Sequence, residues 1–277
     1  MGPFDHRVAF VTGASRGIGK CIALALARAG CDLVVAAKTT TAQPQLPGTI
    51  HDTAAAVEGL GRRALAIELD VRDDRLIERA VQSALDRLGR IDFLINNAGA
   101  LHWRPVAETP LKRFDLVMAV NARGAFACTH HVLPAMLRQD WGHILMMSPP
   151  VQVEGAAGKV AYAISKFGMT LLAHGLAAEL QGRNVAANAL WPATMIESYA
   201  TLNWGLGNPA LWRKPEILAD ATLRIFAKPP AGFSGHALID EDFLRAEGVS
   251  DFSAYRCDPN HEPPRVEFDY KMAVGGR

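Results

Sequence analysis

The chain has 277 residues, 49% hydrophobic and 21% charged, and its 29 Lys and Arg against 28 Asp and Glu leave a formal charge of +1. That near-neutral balance implies neither nucleic acid nor an anionic membrane surface as a partner, and no apolar run approaches the length of a membrane span. The length suits one large α/β domain over residues 1–277 better than two small ones. Val8-Ala9-Phe10-Val11 reads as a buried strand, and Gly17 to Ala29 as a helix stopped by Gly30. Further strands are expected at Leu33-Val34-Val35-Ala36, Ala64-Leu65-Ala66-Ile67, Asp92-Phe93-Leu94-Ile95, His143-Ile144-Leu145-Met146-Met147 and about residues 184–190. His236-Ala237-Leu238-Ile239 can supply a seventh. Helical patterns fill about 51–61, 73–88, 110–138 and 159–181. Continuous apolar strands alternating with helices predict a parallel sheet covered on both faces, and right-handed crossovers make it doubly wound.

Two stretches break the rhythm. Thr39 to Thr49 is a polar loop with Pro44 and Pro47, long for its place. Residues 193–214, after Pro192, are expected to be irregular and carry Trp204 and Trp212. Residues 240–277 read as an extended tail lying on the domain, because Phe243, Leu244, Phe252 and Tyr255 need burial. The N-terminal segment has no signal-peptide apolar region, His6 breaks the myristoylation pattern, and Ala273-Val274-Gly275-Gly276-Arg277 is no peroxisomal address. Cys21, Cys31, Cys128 and Cys257 lack metal or disulfide spacing. The expectation is a cytoplasmic protein with reduced thiols and no metal.

The chemistry lies in a few short patterns. Gly13, Gly17 and Gly19 stand between the first strand and the first helix, where glycine permits a tight turn and lets backbone approach a pyrophosphate at the helix N-terminus. An acid at the end of the second strand would bind a ribose 2′-hydroxyl; here the strand ends Ala36-Ala37-Lys38. With Arg16 inside the glycine turn, two cations and no carboxylate favour a 2′-phosphate, hence NADP(H) over NAD(H). Lys38 as a plain solvated loop residue is the competing reading. Asp70 ends the third strand and can either reach an adenine amino group or cap the helix near Asp73. In Asn96-Asn97-Ala98-Gly99, Asn side chains can lock neighbouring backbone and Gly99 can let a cofactor pass. Asn121 is costly inside a helix by propensity, and Val117, Val120 and Phe126 around it suggest burial. Tyr162 and Lys166 lie one helical turn apart on one face. A phenol with a pKa of about 10 needs about 4 kcal/mol of charge stabilisation to act as a base near neutrality. An adjacent ammonium has the right sign to supply it.

Thr12-Gly13-x-x-x-Gly17-x-Gly19, Asp70, Asn96-Asn97-Ala98-Gly99, Asn121 and Tyr162-x-x-x-Lys166 together resemble the short-chain dehydrogenase/reductase family over about residues 7–192. The resemblance implies a Rossmann-type sheet. It makes Tyr162 the general acid/base, gives Lys166 the nicotinamide ribose and the lowering of the Tyr pKa, and lets Asn121 hold a relay water. The cofactor set it implies is Gly13, Ser15, Arg16, Gly17, Ile18, Gly19, Lys38, Asp70, Val71, Asn97, Ala98, Gly99, Lys166 and Pro192. Ala36-Ala37-Lys38-Thr39, Thr41-Ala42-Gln43-Pro44, Met147-Ser148-Pro149-Pro150, Asn188-Ala189-Leu190-Trp191-Pro192 and Ile239-Asp240-Glu241 resemble the hydroxysteroid dehydrogenase-like subgroup. Animal members carry a sterol-carrier domain and a peroxisomal address, and neither is expected here. Bacterial relatives similar to isoprenoid-alcohol dehydrogenases suggest one substrate class.

One departure matters. The family's catalytic Ser stands thirteen residues before the Tyr; that position is Pro149, and Ser148 is one residue early. Prolines at 149 and 150 end a regular strand at or before Ser148, so a local twist is expected to turn its hydroxyl toward Tyr162 and add Ser148 to the catalytic set. The expected activity is NADP(H)-dependent interconversion of an alcohol and a carbonyl. A cap carrying Met195, Leu202, Trp204, Leu211 and Trp212, with His102 and Trp103 opposite, suggests a small lipophilic substrate. The rivals are a non-catalytic NADP(H)-binding sensor or scaffold, which Pro149 motivates, and a dehydratase or epimerase on the same fold. Surplus apolar residues on two helices, Phe126, Val132, Leu133, Phe167, Leu171, Leu172 and Leu176, predict a homodimer or homotetramer.

Overall fold

The computed structural model describes residues 2–42, 44, 47–151 and 156–265. The strands are β1 (Val8–Thr12), β2 (Asp32–Ala37), β3 (Ala64–Glu68), β4 (Phe93–Asn96), β5 (Gly142–Met147), β6 (Val185–Trp191), β7 (Met195–Ile196), β8 (Trp212–Arg213) and β9 (Ala237–Ile239). The helices are α1 (Gly17–Arg28), α2 (Ile50–Glu58), α3 (Asp74–Leu88), α4 (Leu111–Val117), α5 (Gly124–Arg138), α6 (Val160–Glu179), α7 (Tyr199–Asn203), α8 (Glu216–Phe226) and α9 (Asp240–Ala246). Seven strands form one sheet in the order β3-β2-β1-β4-β5-β6-β9, every pair parallel.

Continuous apolar runs become strands buried on both sides. In β1, Ala9 and Val11 face a core built with Ile22 of α1 and Ile225 and Phe226 of α8. Val8 and Phe10 face the opposite core with Ile77, Val132 and Met169 of α3, α5 and α6. Local signals set several helix ends. Thr49 and Asp52 form a capping box on α2, Asp73 caps α3, and Gly89 stops α3 at φ +84°. Among the described residues, no helix is long and apolar enough to cross a membrane.

The structure departs from expectation in four places. The helix expected over 110–138 carries a π-helical turn, Met118–Arg123, between α4 and α5; composition does not change there, so periodicity reads straight through. Residues 215–235 had no assigned element, yet α8 buries Ile217, Leu218, Ala221, Thr222, Ile225 and Phe226 at helical spacing. The stretch 193–214 is not wholly irregular: β7 and β8 pair in parallel and α7 lies between them. In the tail, Phe243, Leu244 and Phe252 are buried. Its first part is the helix α9 rather than extended chain, with Asp240, Glu241 and Asp242 in a first turn that favours negative charge. Residues 266–277 of that tail, and Gln43, Gln45 and Leu46 of the polar loop, lie outside the described residues. Of the surplus apolar side chains, Val132 and Leu176 belong to the core, while Phe126 and Leu171 keep 59% and 68% of their surface exposed.

Candidate active site

The cleft lies where strand order turns outward in both directions, at the ends of β1 and β4. Thr12 Oγ1 donates to Ile95 O at 3.1 Å and accepts from the amides of Asn97 and Ala98, each at 3.0 Å. Asn97 Nδ2 donates to Thr12 O at 2.9 Å and Gly13 O at 3.2 Å. The glycine turn is thereby bolted to the end of β4. Gly13 sits at φ +67°, and a Cβ there would stand 2.9 Å from Ala98 Cα. At Gly19 a Cβ would stand 2.4 Å from Gly13 O. Gly17 is also left-handed, but a Cβ there would meet nothing within 4 Å. Ser15 is buried beside the turn, and Ile18 packs partly on the core. Among the described residues, the N-cap residue Arg16 makes no side-chain cap hydrogen bond to α1.

The charged residues around the turn are engaged in different ways. Arg16 donates from Nε to Pro47 O at 3.1 Å and from Nη2 to Gly48 O at 2.8 Å. Lys38 is exposed at the end of β2. Asp73 accepts from the amides of Arg75 and Leu76, so capping belongs to Asp73 and not to Asp70. Asp70 is held by Arg72 Nε at 2.9 and 3.0 Å and by Nη2 at 2.5 Å. The Arg72 hydrogen bonds keep its carboxyl below the usual range. Val71 packs against the start of α5, where a Cβ on Gly124 would stand 2.9 Å from Val71 Cγ2.

Helix α6 presents Tyr162 and Lys166 to the other side of the cleft. Lys166 is buried; its Nζ donates to Met147 O at 2.8 Å. It lies 6.0 Å from the Tyr162 ring centre and 5.5 Å from that of Trp191, just before Pro192. Burial pulls its pKa down to about 7. Tyr162 is half-buried and meets Trp103 edge-on at 6.2 Å. A Cβ on Gly99 would lie 3.6 Å from Asn121 Oδ1 and 3.7 Å from Lys166 Nζ, ordinary contact distances. Gly99, Asn121 and Lys166 thus meet. Asn121 is buried within the π-helical turn, an irregularity frequent at functional sites. Its Oδ1 accepts from Ala100 N at 2.7 Å, and its Nδ2 donates to Ala100 O at 3.0 Å and Ser165 Oγ at 2.9 Å. Ser165 Oγ in turn donates to Tyr162 O at 2.7 Å. The side chain expected to hold a water therefore also bridges the β4 loop to α6, leaving one Oδ1 lone pair.

Ser148 departs from expectation. Its buried Oγ accepts from Thr170 Oγ1 at 2.9 Å. Thr170 is eight residues beyond Tyr162 on α6, about 12 Å along the axis, so the hydroxyl is turned to Thr170 rather than to Tyr162. Although β5 ends at Met147, the Ser148 amide still donates to Leu190 O at 3.1 Å. It also donates to Met146 O at 2.9 Å, a tight turn at the end of the strand that takes Ser148 out of the regular ladder. Sequence reading gave no role to Thr12 or Ser165, and missed Lys159. Lys159 is buried with Nζ 4.9 Å over the Trp103 ring, and burial lowers its pKa to about 7. Its place three residues before Tyr162 was the available signal.

The sequence profile described as short chain dehydrogenase matches residues 7–201. The chain belongs to this family. It is similar to hydroxysteroid dehydrogenase-like proteins: hydroxysteroid dehydrogenase-like protein 2 of Danio rerio is 43% identical over 257 residues, covering 91% of this chain and 61% of its own. The Homo sapiens protein is 42% identical over 271 residues, covering 96% and 64%. The chain thus spans less than two thirds of the length of these relatives. A crystal structure of a short chain dehydrogenase from Mycobacterium thermoresistibile superposes with a TM-score of 0.89 at 36% identity, covering 99% of this chain and 100% of that one. The family is one of short chain dehydrogenases, which use nicotinamide cofactors.

The residues present fit such a cofactor. Open space over Gly17 and an α1 N-terminus that the Arg16 side chain does not cap suit a pyrophosphate. Glycine at 99, which no protein contact demands, leaves room beside Lys166 and Asn121.

Proposed function

We propose that this dehydrogenase interconverts a lipophilic alcohol and its carbonyl compound with NADP(H), using Tyr162 as general acid/base. The observation that carries the reading is the buried Lys166 ammonium, tied to Met147 O beside Tyr162 and next to Gly99 and Asn121. When bound, a nicotinamide would supply or accept the hydride at the substrate carbon. Tyr162 Oη gives a proton to the carbonyl oxygen, or removes it in the opposite direction. Positive charge on Lys166 favours the phenolate, and Asn121 with Ser165 holds the turn of α6 that carries Tyr162. Ser148 takes no part, so the catalytic set is Tyr162, Lys166 and Asn121.

The 2′-phosphate reading rests on Lys38, exposed at the end of β2, and on Arg16 beside the turn. Asp70, Val71, Asn97, Ala98 and Pro192 complete the cofactor wall. Residues 193–214 form the substrate cap and 240–277 an extension of the same single domain. The His102 and Trp204 rings lie 6.1 Å apart, joining cap and β4 loop across an aromatic lining that suits a lipophilic substrate. Exposed Phe126 and Leu171 on α5 and α6 support a homodimer or homotetramer. Four free cysteines fit a cytoplasmic location.

NADPH absorbance followed with steroid, acyl, quinone and terpenoid carbonyls tests the reaction, and oxidation with none of them removes it. Each charge-assisted contact to the 2′-phosphate should contribute about 1.5–3 kcal/mol. NADPH should therefore bind more tightly than NADH, and Lys38→Asp should shift the preference toward NADH.

A further inference from the structure

The segment 193–214 leaves the sheet after β6 and runs through Arg213 of β8 into α8, and consecutive acids at the start of α9 grip both of its ends. Asp240 Oδ1 accepts from Ala193 N and from Glu241 N, each at 2.7 Å. Glu241 Oε1 accepts from Arg213 Nε at 2.6 Å. Asp240, Glu241 and Arg213 are all buried. Between the roots, Met195 pairs with Trp212 and Ile196 with Arg213, and Glu197 N donates to Arg213 O at 2.9 Å. Arg213 also reaches Phe252 O at 3.2 Å and the Glu262 carboxylate. Arg265 stands 3.5 Å from Glu241 Oε2.

Buried ion pairs are a poor source of stability, since apolar residues of similar volume often do as well. Asp240 carries a second penalty: Oδ2 is buried with no hydrogen-bond partner among the described residues. An arrangement that gains little stability but holds two chain positions in one place points to geometry as its purpose. Pro192 and Ala193 follow Trp191, whose ring lies 5.5 Å from Lys166 Nζ, so the first root abuts the catalytic wall. The tip between the roots carries Leu202, Trp204 and Leu211, each an exposed apolar side chain.

We propose that Asp240 and Glu241 are positioning residues that clasp the two roots of the cap and thereby fix the substrate cleft. Asp240 sets the turn after Pro192; Glu241 sets the far root through Arg213. Only the tip is left to adjust to substrate. This rests on the reading of 193–214 as a substrate cap.

The test uses the full chain with Asp240→Ala, Asp240→Asn and Glu241→Gln. Kinetics are measured with NADPH and phenanthrenequinone, NADPH affinity by titration, and amide hydrogen exchange across 193–214. Asp240→Ala should raise KM for the quinone about ten-fold, the loss of hydrogen bonds to a charged acceptor. kcat and NADPH affinity should stay within about threefold. Asp240→Asn keeps an acceptor oxygen for both amides and should restore KM. Glu241→Gln should raise KM in the same direction, and carries the test if Asp240→Ala does not fold. Exchange should rise within 193–214 and not in β1 or β4. An unchanged KM in Asp240→Ala, or an Asn variant no better than Ala, would overturn the clasp. If the wild-type protein reduces no carbonyl, the oxidoreductase reading fails and exchange alone decides: faster exchange confined to 193–214 supports the clasp, and unchanged exchange overturns it.

Discussion

Arg72 and Arg213 each hold a carboxylate, one on the cofactor side of the cleft and one under the cap, and their surroundings differ. Arg72 and Asp70 leave 45% and 22% of their side chains in solvent. Arg213 and Glu241 leave 1% and 2%. Water solvates the first pair whether or not it forms, so its loss should cost about 0–1 kcal/mol, and salt should screen it. The second pair has no such substitute. The cofactor side is instead held by neutral bonds through Thr12 and Asn97. Charge is peripheral to one wall and structural in the other, so pH and charge deletion should act mainly on the cap.

The largest expected effect is on stability. Arg213→Ala takes the 2.6 Å partner from a buried carboxylate that keeps only Arg265 at 3.5 Å and Arg245 at 3.9 Å, and should cost about 3–5 kcal/mol by urea unfolding. Replacing both residues with Met should recover most of that loss. A cost for Arg213→Ala as small as that of Arg72→Ala would erase the contrast between the walls.

Much of the cofactor side was legible because its requirements are local. Gly13, Gly17 and Gly19 answer to a turn and to close backbone approach, and Tyr162 and Lys166 to one helical turn. The cap wall was not legible in this way. Arg213 and Glu241 are 28 residues apart, and nothing in either neighbourhood selects that partner among so many charges. Ile239-Asp240-Glu241 was visible as a subgroup mark with no role attached. The direction of Ser148 depends on partners distant in sequence, Leu190 O in the next strand and Thr170 on α6. The π-helical turn around Asn121 is a matter of bonding register, which composition does not record. Helix α8, by contrast, was written plainly in the spacing of Ile217, Ala221 and Ile225 and went unassigned.

Next in size is pH dependence. Burial pushes the Asp240 carboxyl from its ordinary 3.8 up to about 7, with Glu241 adding to the rise while the Ala193 and Glu241 amides and Arg213 oppose it. Below pH about 4 it is protonated in folded and unfolded chains alike. As pH rises toward 7 the unfolded chain loses the proton first, so this group lowers stability across that window by at most about 4 kcal/mol. His143 runs the other way. It is buried against Phe93, Trp141 and Phe226, and burial pulls it from 6.5 down to about 4. As pH falls from 6.5 the unfolded chain gains the proton first, removing up to about 3 kcal/mol by pH 4. The two slopes oppose in the wild type. Asp240→Asn should leave stability rising with pH between about 4 and 6.5. His143→Gln should leave it falling between about 4 and 7. Urea midpoints at a series of pH values read both slopes, and the same slope in both variants would dismiss these assignments.

A smaller, pH-independent loss is expected on the cofactor side. Asn97→Ala leaves Thr12 O and Gly13 O without the Nδ2 donor and should cost about 1–3 kcal/mol. The cost should be equal at pH 6 and pH 8, because the amide does not titrate. NADPH affinity should fall with it, since the turn loses its anchor to β4. A strong pH dependence of the Asn97→Ala penalty would mean that charge also holds this wall.

The smallest expected effect is also the sharpest check on the comparison. Arg72→Ala removes one partner of an Arg–carboxylate pair, as Arg213→Ala does, but both ends remain in water. Its cost should stay within about 1 kcal/mol and shrink further at high salt. Without the Arg72 hydrogen bonds, the Asp70 carboxyl should titrate closer to the usual carboxylate range. The freed carboxylate should remain able to accept from an adenine amino group, so NADPH should bind no more weakly to Arg72→Ala than to the wild type. Weaker binding would show that Arg72 itself meets the cofactor, and the exposed pair would then belong to the site. Asp70→Asn, which keeps an acceptor oxygen but loses the charge, separates the two cases. If Asp70 accepts from adenine, Asn should weaken NADPH only modestly; if Arg72 is the contact, Asn should leave affinity unchanged.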